Sequence, residues 1–97
     1  PLLEMEEFQN VQLNHIKQIN ILKTTIGGQE SLLQDQPSDI KNTFNELKKM
    51  KVGNEVTKGC EDKGETYIIL LDTDEEIIIE TECNWLVLNG KQYYIIK

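Results

Sequence analysis

The sequence predicts an α+β protein: an N-terminal amphipathic helix or coiled-coil segment, a short second helix, and a C-terminal antiparallel β-meander of four or five strands. Three observations carry this expectation. Apolar residues recur at three- and four-residue steps from Glu4 to Ile26. Branched and aromatic side chains crowd into Tyr67-Ile68-Ile69-Leu70-Leu71, Ile77-Ile78-Ile79 and the run from Trp85 to Ile96. Asn89-Gly90 interrupts the last run, and Asn-Gly between two such runs is the strongest short hairpin signal.

In the first segment Met5, Phe8, Val11, Ile19, Leu22 and Ile26 form one helical stripe, with Gln12 and His15 on or beside it. Leu13, Ile16 and Ile21 widen it. Glu4, Glu6 and Glu7 fall in the first turn, where carboxylates suit the positive end of the helix dipole. Gly27-Gly28 reads as a C-cap or hinge, beyond which the heptad steps reach Leu33. A helix of this length cannot bury its stripe alone and packs on the sheet or on a copy of itself. The pattern favours self-association through Phe8, Ile19, Leu22 and Ile26, hence a homo-oligomer.

Gln34-Asp35-Gln36-Pro37 reads as a connector, because proline holds the residue before it extended. Ser38 or Asp39 is then the N-cap of a second helix running to about Lys51. Its buried stripe is Ile40, Phe44, Leu47 and Met50, and Lys48, Lys49 and Lys51 complement its C-terminal end. The division that follows is a helical oligomerisation segment over 1–36 and a helix plus antiparallel β domain over 37–97.

In the β half, Val52-Gly53-Asn54 reads as a turn, Glu55–Lys58 as a short strand and residues 59–64 as a loop. Strands follow at Glu65–Leu71, Glu76–Glu82, Trp85–Leu88 and Gln92–Ile96, joined by turns at 72–75 and 83–84 and by Asn89-Gly90 as a type I′ hairpin. Such strands stay an open sheet or curl into a small SH3-like barrel; the six residues Lys51–Val56 have the look of the first strand of such barrels. Tyr67, Ile69 and Leu71 oppose Ile68 and Leu70, and Trp85 and Val87 oppose Leu86 and Leu88, so both faces are apolar. A sheet covered on one side only alternates apolar with polar. One face is therefore expected to lie under the Ile40–Met50 helix and the other under a second subunit. Left uncovered, the second face is itself a binding site.

Net charge is −7, of which residues 1–51 carry −1 and residues 52–97 carry −6. All ten cationic residues are lysine, and the chain has neither arginine nor alanine. The missing guanidinium fork, together with an acidic chain, weighs against direct nucleic-acid binding. The Ile, Asn and Lys excess fits an AT-rich genome, such as a low-GC bacterium or a phage. No run of about 18 apolar residues and no leader is visible, so no membrane association is expected. Pro1 in place of Met points to a fragment or a cloning scar. Location stays open, with the cytoplasm favoured.

Chemistry is sparse. His15 stands alone inside the expected helix, and no spacing proposes a nucleophile for it. Cys60 and Cys83 lack metal-ligand spacing and are read as free thiols rather than a disulfide. No phosphate loop, dinucleotide fingerprint or catalytic elbow appears, so no catalytic residue, cofactor or metal is assigned and no enzyme is expected. What remains is the acidic run between Lys63 and Lys91. The expected function is a non-catalytic protein–protein interaction module that docks a protein partner through Asp72, Asp74, Glu75 and Glu76 with Trp85 or Tyr94. The alternative is a small acidic phage- or mobile-element-type inhibitor that imitates nucleic-acid charge to block a host enzyme.

Overall fold

Where the periodicity predicts a long helix, the chain forms a β-hairpin. The structure, a computed structural model, describes residues 11–56, 63–83, 85–88 and 91–96, and of Lys63 and Ile96 the backbone alone. A 3-10 turn at Leu13–His15 leads into β1 (Ile16–Thr25), which pairs antiparallel with β2 (Gly28–Gln34) from Ile19↔Gln34 to Thr25↔Gly28. Ile16, Ile19, Ile21, Thr24, Thr25 and Ile26 are all β-branched. Their stiff side chains lose freedom in a helix and fit a pleated surface. Gly27 lies in the hairpin turn and Gly28 opens β2, so the pair is not a helix end, and Gly28 sits at φ 128, a conformation open to glycine. The N-terminal amphipathic helix, the coiled coil and the helix-mediated homo-oligomer are therefore corrected. Residues 1–10, with Phe8, lie outside the described residues.

The second predicted helix is present as α1 (Pro37–Lys49). Gln36 is its N-cap in place of Ser38 or Asp39, and Pro37 opens the helix where its missing N–H costs nothing. Asp39 in the first turn and Lys48 and Lys49 in the last complement the dipole. Ile40, Phe44 and Leu47, spaced four and three residues apart, are its buried stripe. Each contributes roughly 1.5–3 kcal/mol by leaving water. Lys48 Nζ caps the outer side of Phe44, 5.0 Å from the ring centre.

Five further strands follow: β3 (Lys51–Val56), β4 (Lys63–Leu71), β5 (Glu76–Glu82), β6 (Trp85–Leu88) and β7 (Lys91–Ile96). All seven strands form one antiparallel sheet in the order β2-β1-β4-β5-β6-β7-β3. The expected antiparallel sheet is thus present, with seven strands in place of four or five. It is open, with β2 and β3 at its edges, so it is not an SH3-like barrel. Val52-Gly53-Asn54, read as a turn, lies inside β3, where the register with β7 shifts between Val52 and Glu55. The type I′ geometry expected at Asn89-Gly90 lies outside the described residues, although β6 and β7 pair on either side of it.

The helix joins strands at opposite edges of the sheet and lies on one of its faces. Ile40, Phe44 and Leu47 cluster there with Ile16, Ile19, Ile69, Ile79, Leu86 and Leu88. Tyr67, Leu71, Ile77, Tyr93 and Ile95 flank this core. On the other face, among the described residues, no second helix or sheet packs, although Glu82 and Val56, which the registers place there, are buried.

Candidate docking surface

The registers fix which side chains share the uncovered face. On β5, the central strand, Ile77, Ile79 and Thr81 turn toward the helix, so Glu76, Ile78, Glu80 and Glu82 turn away from it. Ile78 stands beside Ile68 of β4, and Glu76 beside Leu70. Glu80 lies between Thr66 and Val87, and Trp85 pairs with both Glu82 and Tyr94. The result is an apolar field of Ile68, Leu70, Ile78, Val87, Trp85 and Tyr94 around a row of carboxylates. Ile78 is 46% and Tyr94 43% exposed, well above a core value.

The carboxylates on this row differ. Glu82 is buried at 9% exposure, Glu80 half-buried and Glu76 exposed. Neither Glu76 nor Glu80 makes an ion pair among the described residues. They stand four positions apart, about 13 Å along the strand. A negative charge set among apolar side chains is screened less than one in open water, so this pair marks where an incoming cation gains most.

The remaining predicted acids are elsewhere, in the β4–β5 turn. There Asp72 Oδ2 lies 2.8 Å from His15 Nδ1, and the Asp72 N–H donates to the His15 carbonyl at 2.8 Å. Lys17 Nζ donates to Asp74 Oδ1 at 3.1 Å, and Asp74 holds a left-handed φ of 68. Glu75 is exposed in the same turn. Asp72 and Asp74 thus clip the turn to the start of β1. Of the predicted partner-binding set, Glu76, Trp85 and Tyr94 share the uncovered face, while Asp72, Asp74 and Glu75 do not join them. Ile78 and Glu80 belong to that face and were missed; their alternation with Ile77 and Ile79 along β5 is the signal that finds them.

The predicted self-association residues do not share one surface. Ile19 is fully buried beneath α1, Leu22 is half-buried on the uncovered face, and Ile26 stands wholly exposed at the hairpin tip.

The His15–Asp72 pair resembles the orienting half of a catalytic triad, but among the described residues no hydroxyl or thiol hydrogen-bonds the ring. Among those residues no cluster of three potential metal ligands occurs either. A cavity of about 710 Å³ between β1 and the start of α1 is lined by Ile16, Lys17, Ser38, Ile40 and Lys41 among others. Lys17 is already committed to Asp74. On the helix side, the Tyr67 hydroxyl donates to Glu65 Oε2; burial first, and then the adjacent carboxylate, push its ionisation well above that of a free phenol.

Cys83 is disulfide-bonded, and Cys60 is the only other cysteine in the chain. The expected free thiols are corrected; sequence spacing carries no information on pairing in space. Among the described residues no helix is long and apolar enough to cross a membrane. The chain matches no protein-family model, no curated protein and no solved structure.

Proposed function

We propose that this protein is a non-catalytic docking module that binds a protein partner on the sheet face opposite α1. The observation that carries the reading is the absence, among the described residues, of a second layer over an apolar field containing Ile78, Trp85 and Tyr94. Contiguous apolar surface rimmed by polar groups marks interaction sites in soluble proteins. Trp and Tyr are also the residues that most often anchor such contacts. Glu76 and Glu80, which form no ion pair among the described residues, select a partner that brings cations. A basic amphipathic segment suits both the apolar field and the charge. The charge-mimicry alternative is the weaker one, since Asp72 and Asp74 are already matched by His15 and Lys17.

The Cys83 disulfide supports placing this encounter in an oxidising compartment.

Trp85 is the single tryptophan of the chain, so its fluorescence reports on this face alone. The test is titration with a synthetic amphipathic helix of leucine and lysine. The expected result is a blue shift in Trp85 emission that weakens in 0.5 M salt and disappears in the E76K/E80K variant. An unshifted emission, or one that E76K/E80K leaves intact, overturns the reading.

A further inference from the structure

The two edges of the sheet are unlike. The β3 edge carries Lys51 and Glu55, both exposed, and a register irregularity between Val52 and Glu55. Charge and bulge are the devices by which natural sheets keep an edge from pairing further. The β2 edge has no bulge and a single charge. Over Gly28–Gln34 it runs in unbroken register against β1, carries no lysine and no proline, and has Glu30 as its one charge. Six of its seven residues are exposed, and among the described residues no backbone hydrogen bond beyond the β1 ladder reaches it. The large exposed apolar residues point to the same place: of Ile26, Leu32, Leu33, Ile78 and Tyr94, the first three lie on this hairpin.

We infer that the β2 edge is a homodimer interface, pairing antiparallel with β2 of a second copy to continue the sheet. This site is separate from the docking face and does not depend on it. Self-complementarity selects a second copy as the occupant. Two identical antiparallel strands related by a two-fold axis normal to the sheet keep like faces together. With the axis at Leu32, that residue meets its own counterpart, Ser31 meets Leu33, and Glu30 meets Gln34. No charge faces a like charge. The helix-side row of the seam becomes Glu30, Leu32 and Gln34 against Gln34, Leu32 and Glu30. Gln34 Oε1 already accepts the Thr43 hydroxyl at 2.5 Å, which leaves the Gln34 amide N–H groups to donate to the incoming Glu30 carboxylate. The unused main-chain donors and acceptors of both edges are satisfied in the same step. Unlike the helical association expected of Phe8, Ile19, Leu22 and Ile26, this seam needs no helix.

Sedimentation equilibrium of the 97-residue chain, over a micromolar concentration series, tests the seam through three proteins. The unaltered chain is expected at twice its 11.2 kDa mass. L32K sets two ammonium groups opposite each other at the axis and weakens association on the order of a hundredfold. Leu32 is 57% exposed, so the variant keeps its fold, which far-ultraviolet circular dichroism verifies. I78K, on the docking face, leaves the doubled mass unchanged. A monomeric unaltered chain, a dimer that survives L32K, or a dimer dissolved by I78K overturns the inference.

Discussion

Ile19 and Ile26 lie on one stripe if residues 16–26 are helical, and they part company in the hairpin, so substituting each separates the two folds by measurement. In β1, Ile19 is fully buried, between Gln34 of β2 and Ile69 of β4 and beneath α1. Ile26 is fully exposed at the hairpin tip. Truncating Ile19 to alanine removes side-chain volume from the core that it shares with Ile69, Ile40 and Phe44. The expected cost is about 3 kcal/mol, within the 2–5 range of such changes. In a domain of this size that lowers the melting temperature by roughly 12–24 °C. Ile26→Ser removes nothing that is packed and is expected to stay within about 0.5 kcal/mol. Urea unfolding followed by circular dichroism gives both values on one scale. Equal losses at the two positions would refute the hairpin, because only a shared buried stripe makes them equivalent.

Gly64→Ala places a Cβ 2.5 Å from Thr81 Oγ1 and 2.7 Å from the Thr81 carbonyl oxygen. Because backbone must move and the Thr81–Glu65 hydrogen bonds with it, calorimetry is expected to show a loss of about 1–3 kcal/mol. Tyr67 holds its proton more tightly folded than unfolded, so its contribution is complete below the free-phenol value of 10.0 and is lost as pH rises toward the folded-state ionisation. Tyr67→Phe is expected to remove the late component of the tyrosinate absorbance titration and to flatten the alkaline fall in stability; an unaltered titration would count against the Glu65 contact. Reducing the Cys83 disulfide, whose only possible partner within the chain is Cys60, frees a loop of about two dozen residues and should cost ~3 kcal/mol. A thiol assay of the unreduced, denatured chain should find no free thiol.

Legibility in the sequence followed the range of the interactions. The α1 stripe and the strands at 76–82 and 85–88 rest on neighbours a few residues apart, and their bounds are readable from propensity and turn chemistry. Residues 16–26 carry two periods at once: Ile19, Leu22 and Ile26 at helical spacing, Ile19 and Ile21 at strand spacing. Periodicity alone does not separate them. The β-branched character of the segment, with the double glycine behind it, favours the hairpin, and its pairing with β4 decides the matter. That pairing is non-local, as is the return of β3 to the far edge beside β7, and neither leaves a mark in the local pattern. The acidic run shows the same limit. Its clustering is visible in the sequence, yet His15 and Lys17, which tie down Asp72 and Asp74, are each 57 positions away. What remained on the uncovered face was decided by strand alternation, which places Glu76, Ile78 and Glu80 together.

Those three residues bear on why a sheet apolar on both faces is left with one layer of helix. Burying a carboxylate without a partner costs several kcal/mol, more than the ~1.5–3 kcal/mol gained by burying one adjacent Ile or Val. A purely apolar helix laid over β5 would therefore lose at Glu76 and Glu80 what it gained at Ile68, Ile78 and Val87. Face-to-face stacking of two copies meets a harsher form of the same cost, since each copy brings a row of carboxylates to the other. The charges on the central strand thus disfavour the two covers nearest to hand, an apolar segment and a second copy. They leave open a cover that carries cations about 13 Å apart with apolar residues between. An uncovered face protected in this way is selective rather than adhesive. The β2 edge has no comparable protection, which is why a second copy belongs at the edge and the basic partner on the face.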